Sequence, residues 1–125
     1  MPDPEDFWGN DFDTTAFIPP VTILREQAAA LGRKTKQLVT AEVDTTQMYS
    51  SIMQTMTLVA PALDNYRYKL FTTVHDIDLY PTRTTFNSNL YEAEDADAFR
   101  EVLRIILSDP STQRIVKSLL AQSKT

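Results

Sequence analysis

Tyr66-Arg67-Tyr68-Lys69-Leu70-Phe71-Thr72-Thr73-Val74-His75-Asp76-Ile77 decides how this chain folds. Aromatic and β-branched side chains fit a pleated, half-buried surface, and this run holds neither glycine nor proline. Strand alternation places Tyr66, Tyr68, Leu70, Thr72 and Val74 on one face, the expected core face. Arg67, Lys69, Phe71, Thr73 and His75 fall on the other. The same chemistry extends on both sides, from Gln37 to Tyr91, where Thr, Val, Tyr, Phe and Ile displace the helix formers. The reading is an antiparallel meander with strands at 38–44, 49–60, 66–77 and 84–90. Its turns are Asp44-Thr45-Thr46-Gln47, Pro61-Ala62-Leu63-Asp64-Asn65 and Tyr80-Pro81-Thr82-Arg83, each carrying the Asp, Asn or Pro that turns require.

Helices flank the meander. Pro20 suits a first helical turn, where its missing N–H costs nothing, and Val21, Leu24, Ala28 and Leu31 follow at helical spacing until Gly32 is expected to stop them. Arg33, Lys34 and Lys36 then sit where the last turn exposes carbonyls, so the helix dipole accounts for their charge. On the far side, Asp95 or Asp97 caps a helix with a stripe of Phe99, Val102, Leu103 and Ile106, widened by Ile105 and Leu107. Ser108-Asp109-Pro110 is a stop and restart. A last helix carries Ile115, Val116, Leu119 and Leu120. The second strand has apolar groups on both sides, so helices are expected to cover part of each face. The fold class is α+β: an amino-terminal helix, a four-stranded antiparallel meander, and two carboxy-terminal helices packed on the sheet, forming one domain over residues 20–125.

Residues 1–19 differ in kind, and they read as an acidic aromatic arm, extended or partly disordered. Asp3, Glu5, Asp6, Asp11 and Asp13 stand there with no Lys or Arg, which accounts for the whole net charge of −5. Phe7, Trp8, Phe12 and Phe17 add four rings that water hydrates poorly, so the arm should dock on something. Two seats are open: a strap on its own core, or a partner whose apolar groove takes Phe7 and Trp8 while a basic rim attracts Asp3, Glu5 and Asp6.

Composition narrows the chemistry. The chain has 125 residues, enough for one self-supporting core, and no cysteine, which removes disulfides, thiolate clusters and cysteine nucleophiles. The acidic start lacks the basic-then-apolar pattern of a secretion signal, and no apolar run approaches a bilayer span of ~18 residues. A cytoplasmic setting without membrane contact is therefore expected. The only histidine, His75, lies beside Asp76, Asp78 and Tyr80, but strand alternation turns it away from both carboxylates. Asp76, Asp78, Glu92 and Glu94 match no calcium-loop spacing, and the only glycines, Gly9 and Gly32, make neither a serine elbow nor a phosphate loop. No catalytic residue, metal ligand or cofactor is assigned.

Three readings of function follow. The first is a non-catalytic protein-protein interaction or assembly protein, self-associating as a homodimer through a sheet edge or helix face, or binding another protein, with Phe7, Trp8, Phe12 and Phe17 as contact residues. A second is a small apolar ligand or enzymatic pocket between sheet and helices, with Met53, Tyr66, Tyr68, His75 and Asp78 as candidates. The third is nucleic-acid binding through Arg25, Arg33, Lys34, Lys36, Arg67 and Lys69. A pI near 4.7 and the run Glu92-Ala93-Glu94-Asp95-Ala96-Asp97 speak against it, so nucleic acid is not an expected partner.

Overall fold

Helix α1 (Pro20–Lys34) leads into a five-stranded antiparallel sheet, and helices α2 (Ala96–Ser108) and α3 (Pro110–Ser123) close the chain. The structure, a computed structural model, describes residues 4–125. The strands are β1 (Thr40–Met48), β2 (Ser51–Ala60), β3 (Tyr66–His75), β4 (Thr82–Phe86) and β5 (Asn89–Ala93), and each pairs with its neighbour in sequence. The α+β class and the meander are as the sequence implies, but the strands number five rather than four. The expected strand at 84–90 is in fact a hairpin: Asn87 and Ser88, with φ of 48° and 65°, make a two-residue turn, and Phe86 pairs with Asn89 across it.

Three further boundaries move for local reasons. Asp44-Thr45-Thr46-Gln47 lies inside β1, paired in register with 52–55, and the chain turns at Tyr49-Ser50. Gly32 does not stop α1. The helix continues to Lys34, and Lys36 and Gln37, both at positive φ, reverse the chain. There the buried Thr35 hydroxyl donates to the Val39 carbonyl (2.8 Å) and accepts from the Val39 N–H (3.2 Å), fastening the helix end to β1.

The third correction concerns β3. Met56 pairs with Phe71 while Thr57 pairs with Lys69, so Leu70 is an extra residue in β3. This bulge exchanges the faces. Up to Leu70 the expected set faces the helices; beyond it Phe71, Thr73 and His75 take over, while Thr72 and Val74 turn outward. Leu70 and Phe71 are consequently both buried.

All three helices contribute to one core with a single face of the sheet. Ile23 and Leu24 of α1, Phe99, Val102, Leu103 and Ile106 of α2, and Leu119 of α3 pack with Met56, Leu58, Ala60, Leu70, Phe71, Phe86 and Ala93. The expected cover on both faces is not found. On the outer face Val59 is buried, and Arg67, its partner on β3, reaches across β2 to Glu42 (2.7 Å) and Asp44 (3.8 Å) of β1. Strand β2, apolar on both sides, is an interior strand and finds its two neighbours, β1 and β3, within the chain. No helix among the described residues is long and apolar enough to cross a membrane.

Candidate functional site

The arm and a cleft on the helical face are the two features left unaccounted for by folding. Residues 4–19 contain no helix or strand, and local turns shape them. The Asp6 carboxylate accepts the Trp8 N–H (2.9 Å), Asp11 accepts that of Asp13 (3.3 Å), and Asp13 that of Thr15 (3.0 Å). Hydrogen bonds from the backbone and side chain of Thr15 hold the Asp13 carboxyl below the usual carboxylate range, so it is charged at neutral pH. The rings gain nothing from these turns: Phe7 is 86 % exposed, Trp8 82 %, Phe12 68 % and Phe17 66 %. The root of the arm is held. Tyr80 donates its hydroxyl hydrogen to the Ile18 carbonyl (2.8 Å), and burial pushes the Tyr80 phenol above its ordinary pKa. Residues 1–3, Asp3 among them, lie outside the described residues.

The cleft opens between α1 and α3, which share α2 as a neighbour. Ala41, Met56, Leu58 and Leu70 of the sheet form its floor, and Ala28 and Leu31 of α1 face Val116 and Leu120 of α3 across it. Its volume is about 430 Å³, within the range of small-molecule sites. Gln27, Lys34, Thr35, Thr112 and Gln113 give it a polar rim. Among the described residues, Lys34 is its only charged lining residue.

The residues singled out as a ligand pocket do not converge. Tyr66 and Tyr68 line a separate, shallow depression against Ile115 and Leu119 of α3. Met53 pairs with Thr46 and Val74 on the outer sheet face. Asp78 is exposed in the loop after β3. His75 is 3 % exposed on the inner face, where its Nδ1–H donates to the Asp76 carbonyl at 2.7 Å. The Asp76 carboxylate is engaged on the other side, accepting from Ser51 Oγ (2.8 Å) near Arg83 (3.8 Å). The imidazole thus has no carboxylate to relay a proton. Among the described residues no group of three or more His, Asp or Glu side chains comes together as metal ligands.

His75 belongs instead to a buried polar belt that the sequence pattern did not reveal. Gln54, Thr73, Thr82 and Thr84 share its inner face, the bulge at Leu70 having turned Thr73 and His75 to that side. Gln54 accepts from Thr45 (2.6 Å), and the hydroxyls of Thr73 and Thr84 pair at 2.8 Å. Among the described residues, only Thr82 Oγ1 is a buried side-chain polar atom without a hydrogen-bond partner.

Comparison of the chain with protein-family models, with curated proteins and with solved structures finds no match. The cleft residues were also missed by sequence reading. One signal for them exists: segments 27–37 and 110–125, which wall the cleft, hold six Lys and Arg and no acidic residue. Taking Arg33, Lys34 and Lys36 one helix end at a time hides that pattern.

Proposed function

We propose that this protein works by binding another protein chain, with no chemistry of its own, and that the aromatic arm is the segment that engages. One observation carries the reading: four rings within eleven residues stand in water beside a well-formed core that takes up none of them. Withdrawing one such side chain from water is worth roughly 1.5–3 kcal/mol, so a partner offering an apolar seat gains several such increments from a segment this short. The carboxylates between the rings favour a basic rim around that seat.

Deletion of residues 2–17 tests the reading. Thermal melting of the deleted chain is expected within a degree or so of the full chain, because the rings make no core contact, whereas affinity capture of a protein partner is expected to be lost. Replacing Phe7 and Trp8 together by Ser should have the same effect. A sharp fall in melting temperature would make the arm an intramolecular strap, and capture that survives deletion would remove it from the binding surface. Either result contradicts the reading.

A further inference from the structure

Which surface suits such an arm is answered by charge within this chain. The two segments that wall the α1/α3 cleft carry Arg33, Lys34, Lys36, Arg114, Lys117 and Lys124, without an acid. Lys34 lines the cleft itself, and Lys117 shares a helical face with the lining residues Gln113 and Leu120, one turn from each. An apolar floor under a rim of amides and hydroxyls, with the Lys34 ammonium in it, Lys117 one turn away and no carboxylate among the described lining residues, is a seat for something apolar and anionic at once. The arm is the one segment of this sequence with that character: among residues 4–19 it has Glu5, Asp6, Asp11 and Asp13, no cation, and four aromatic rings.

We infer that the α1/α3 cleft receives the Phe7-Trp8 segment of a second copy of this chain, and that two copies exchange arms reciprocally. This rests on the arm being the binding segment. Three observations favour a second copy over the chain's own arm. None of the arm's described residues, 4–19, lines its own cleft. Its root is stiff, because Pro19 and Pro20 fix two successive φ values while Tyr80 holds the Ile18 carbonyl. The cleft adjoins the second half of α1, so an arm leaving the first turn would have to reverse at that stiff root to reach it.

Length and area allow the exchange. Sixteen extended residues reach about 50 Å, more than twice the ~22 Å length of α1, so an arm can cross to a neighbouring body. At roughly 150–250 Å² per ring, the four rings of two Phe7-Trp8 segments remove on the order of 600–1,000 Å² from water, and with a comparable area of the two clefts covered the total reaches the range of stable interfaces. Reciprocal exchange is isologous and closes at two copies.

The test uses the full chain and its Lys34→Glu/Lys117→Glu variant, both changes lying on exposed positions. Trp8 is the sole tryptophan, so its emission reports on the arm alone. Sedimentation velocity across the micromolar range should show a dimer, with Trp8 emission moving to the blue as the dimer forms, and more readily at low salt. The double charge reversal should weaken association at least about tenfold and return Trp8 emission to that of a ring in water. A dimer that forms with Trp8 buried yet ignores the charge reversal would overturn the cleft as the seat and leave the arm as the binding segment. A dimer whose Trp8 stays in water would overturn both. A monomer at every concentration overturns the second copy as occupant, whether Trp8 is buried in its own body or exposed.

Discussion

Threonines 73, 82 and 84 sit fully buried on one sheet face, yet their hydroxyls differ in circumstance. Thr73 and Thr84 satisfy each other at 2.8 Å, whereas Thr82 Oγ1 has no partner. A buried hydroxyl without a hydrogen bond costs roughly 1–3 kcal/mol, and replacing it by a methyl of similar shape removes that cost. Thr82→Val is therefore expected to leave stability unchanged or raise it by up to about 1 kcal/mol. Thr84→Val leaves the Thr73 hydroxyl alone in the core and should lower stability by about 1–2 kcal/mol. Urea unfolding of both variants measures the difference; equal losses would contradict the hydrogen-bond assignments. Nothing in the spacing of these threonines distinguishes them beforehand, because which hydroxyls meet depends on register and on the bulge at Leu70.

Helix α3 begins where Asp109 accepts hydrogen bonds from the Ser111 hydroxyl (2.7 Å) and N–H (2.9 Å), with Pro110 in the first turn. Those bonds hold the Asp109 carboxyl below its ordinary pKa, the side-chain bond being the larger cause. The folded state then binds a proton less readily than the unfolded state, so this contribution is full above the ordinary carboxylate pKa and disappears as pH falls through the lowered value. Unfolding midpoints should drop on acidification below about pH 4, and less steeply in Asp109→Asn, which keeps an acceptor but does not titrate. Identical acid limbs for the two chains would contradict this. Ser108-Asp109-Pro110 and the stripe from Phe99 to Ile106 were legible in the sequence because caps and helical periodicity are local. The strands were legible as strands but not in their limits. Tyr49-Ser50 has no Gly, Pro, Asn or Asp, Asn87-Ser88 is concealed within a β-rich run, and a bulge is decided by the partner strand. Face assignments beyond Leu70 failed for that reason, whereas Met53, Tyr66, Tyr68, His75 and Asp78 do not meet in one pocket because Met53 lies on the outer sheet face, the tyrosines lie against α3 and Asp78 is exposed in the loop after β3.

Across the whole molecule, the charge imbalance sits at one place: an anionic arm of four rings at one end of α1, with an apolar cleft along the helix's other half whose one charged lining residue among those described is Lys34. The arm was legible as a distinct acidic, aromatic segment from composition alone, since acids and rings are adjacent in sequence. The cleft was not, because it draws its floor from three strands and its walls from helices at opposite ends of the chain. Reciprocal arm exchange joins the two features in one assembly and accounts for four rings that stay outside their own core. The most direct measurement places a photo-activatable benzophenone amino acid at position 8 of the full chain and maps the cross-linked peptides by mass spectrometry. Arm exchange predicts a covalent dimer whose cross-links run from position 8 of one copy to residues 27–36 or 112–124 of the other. Cross-links confined to single chains, or reaching only the outer face of the sheet, would contradict it.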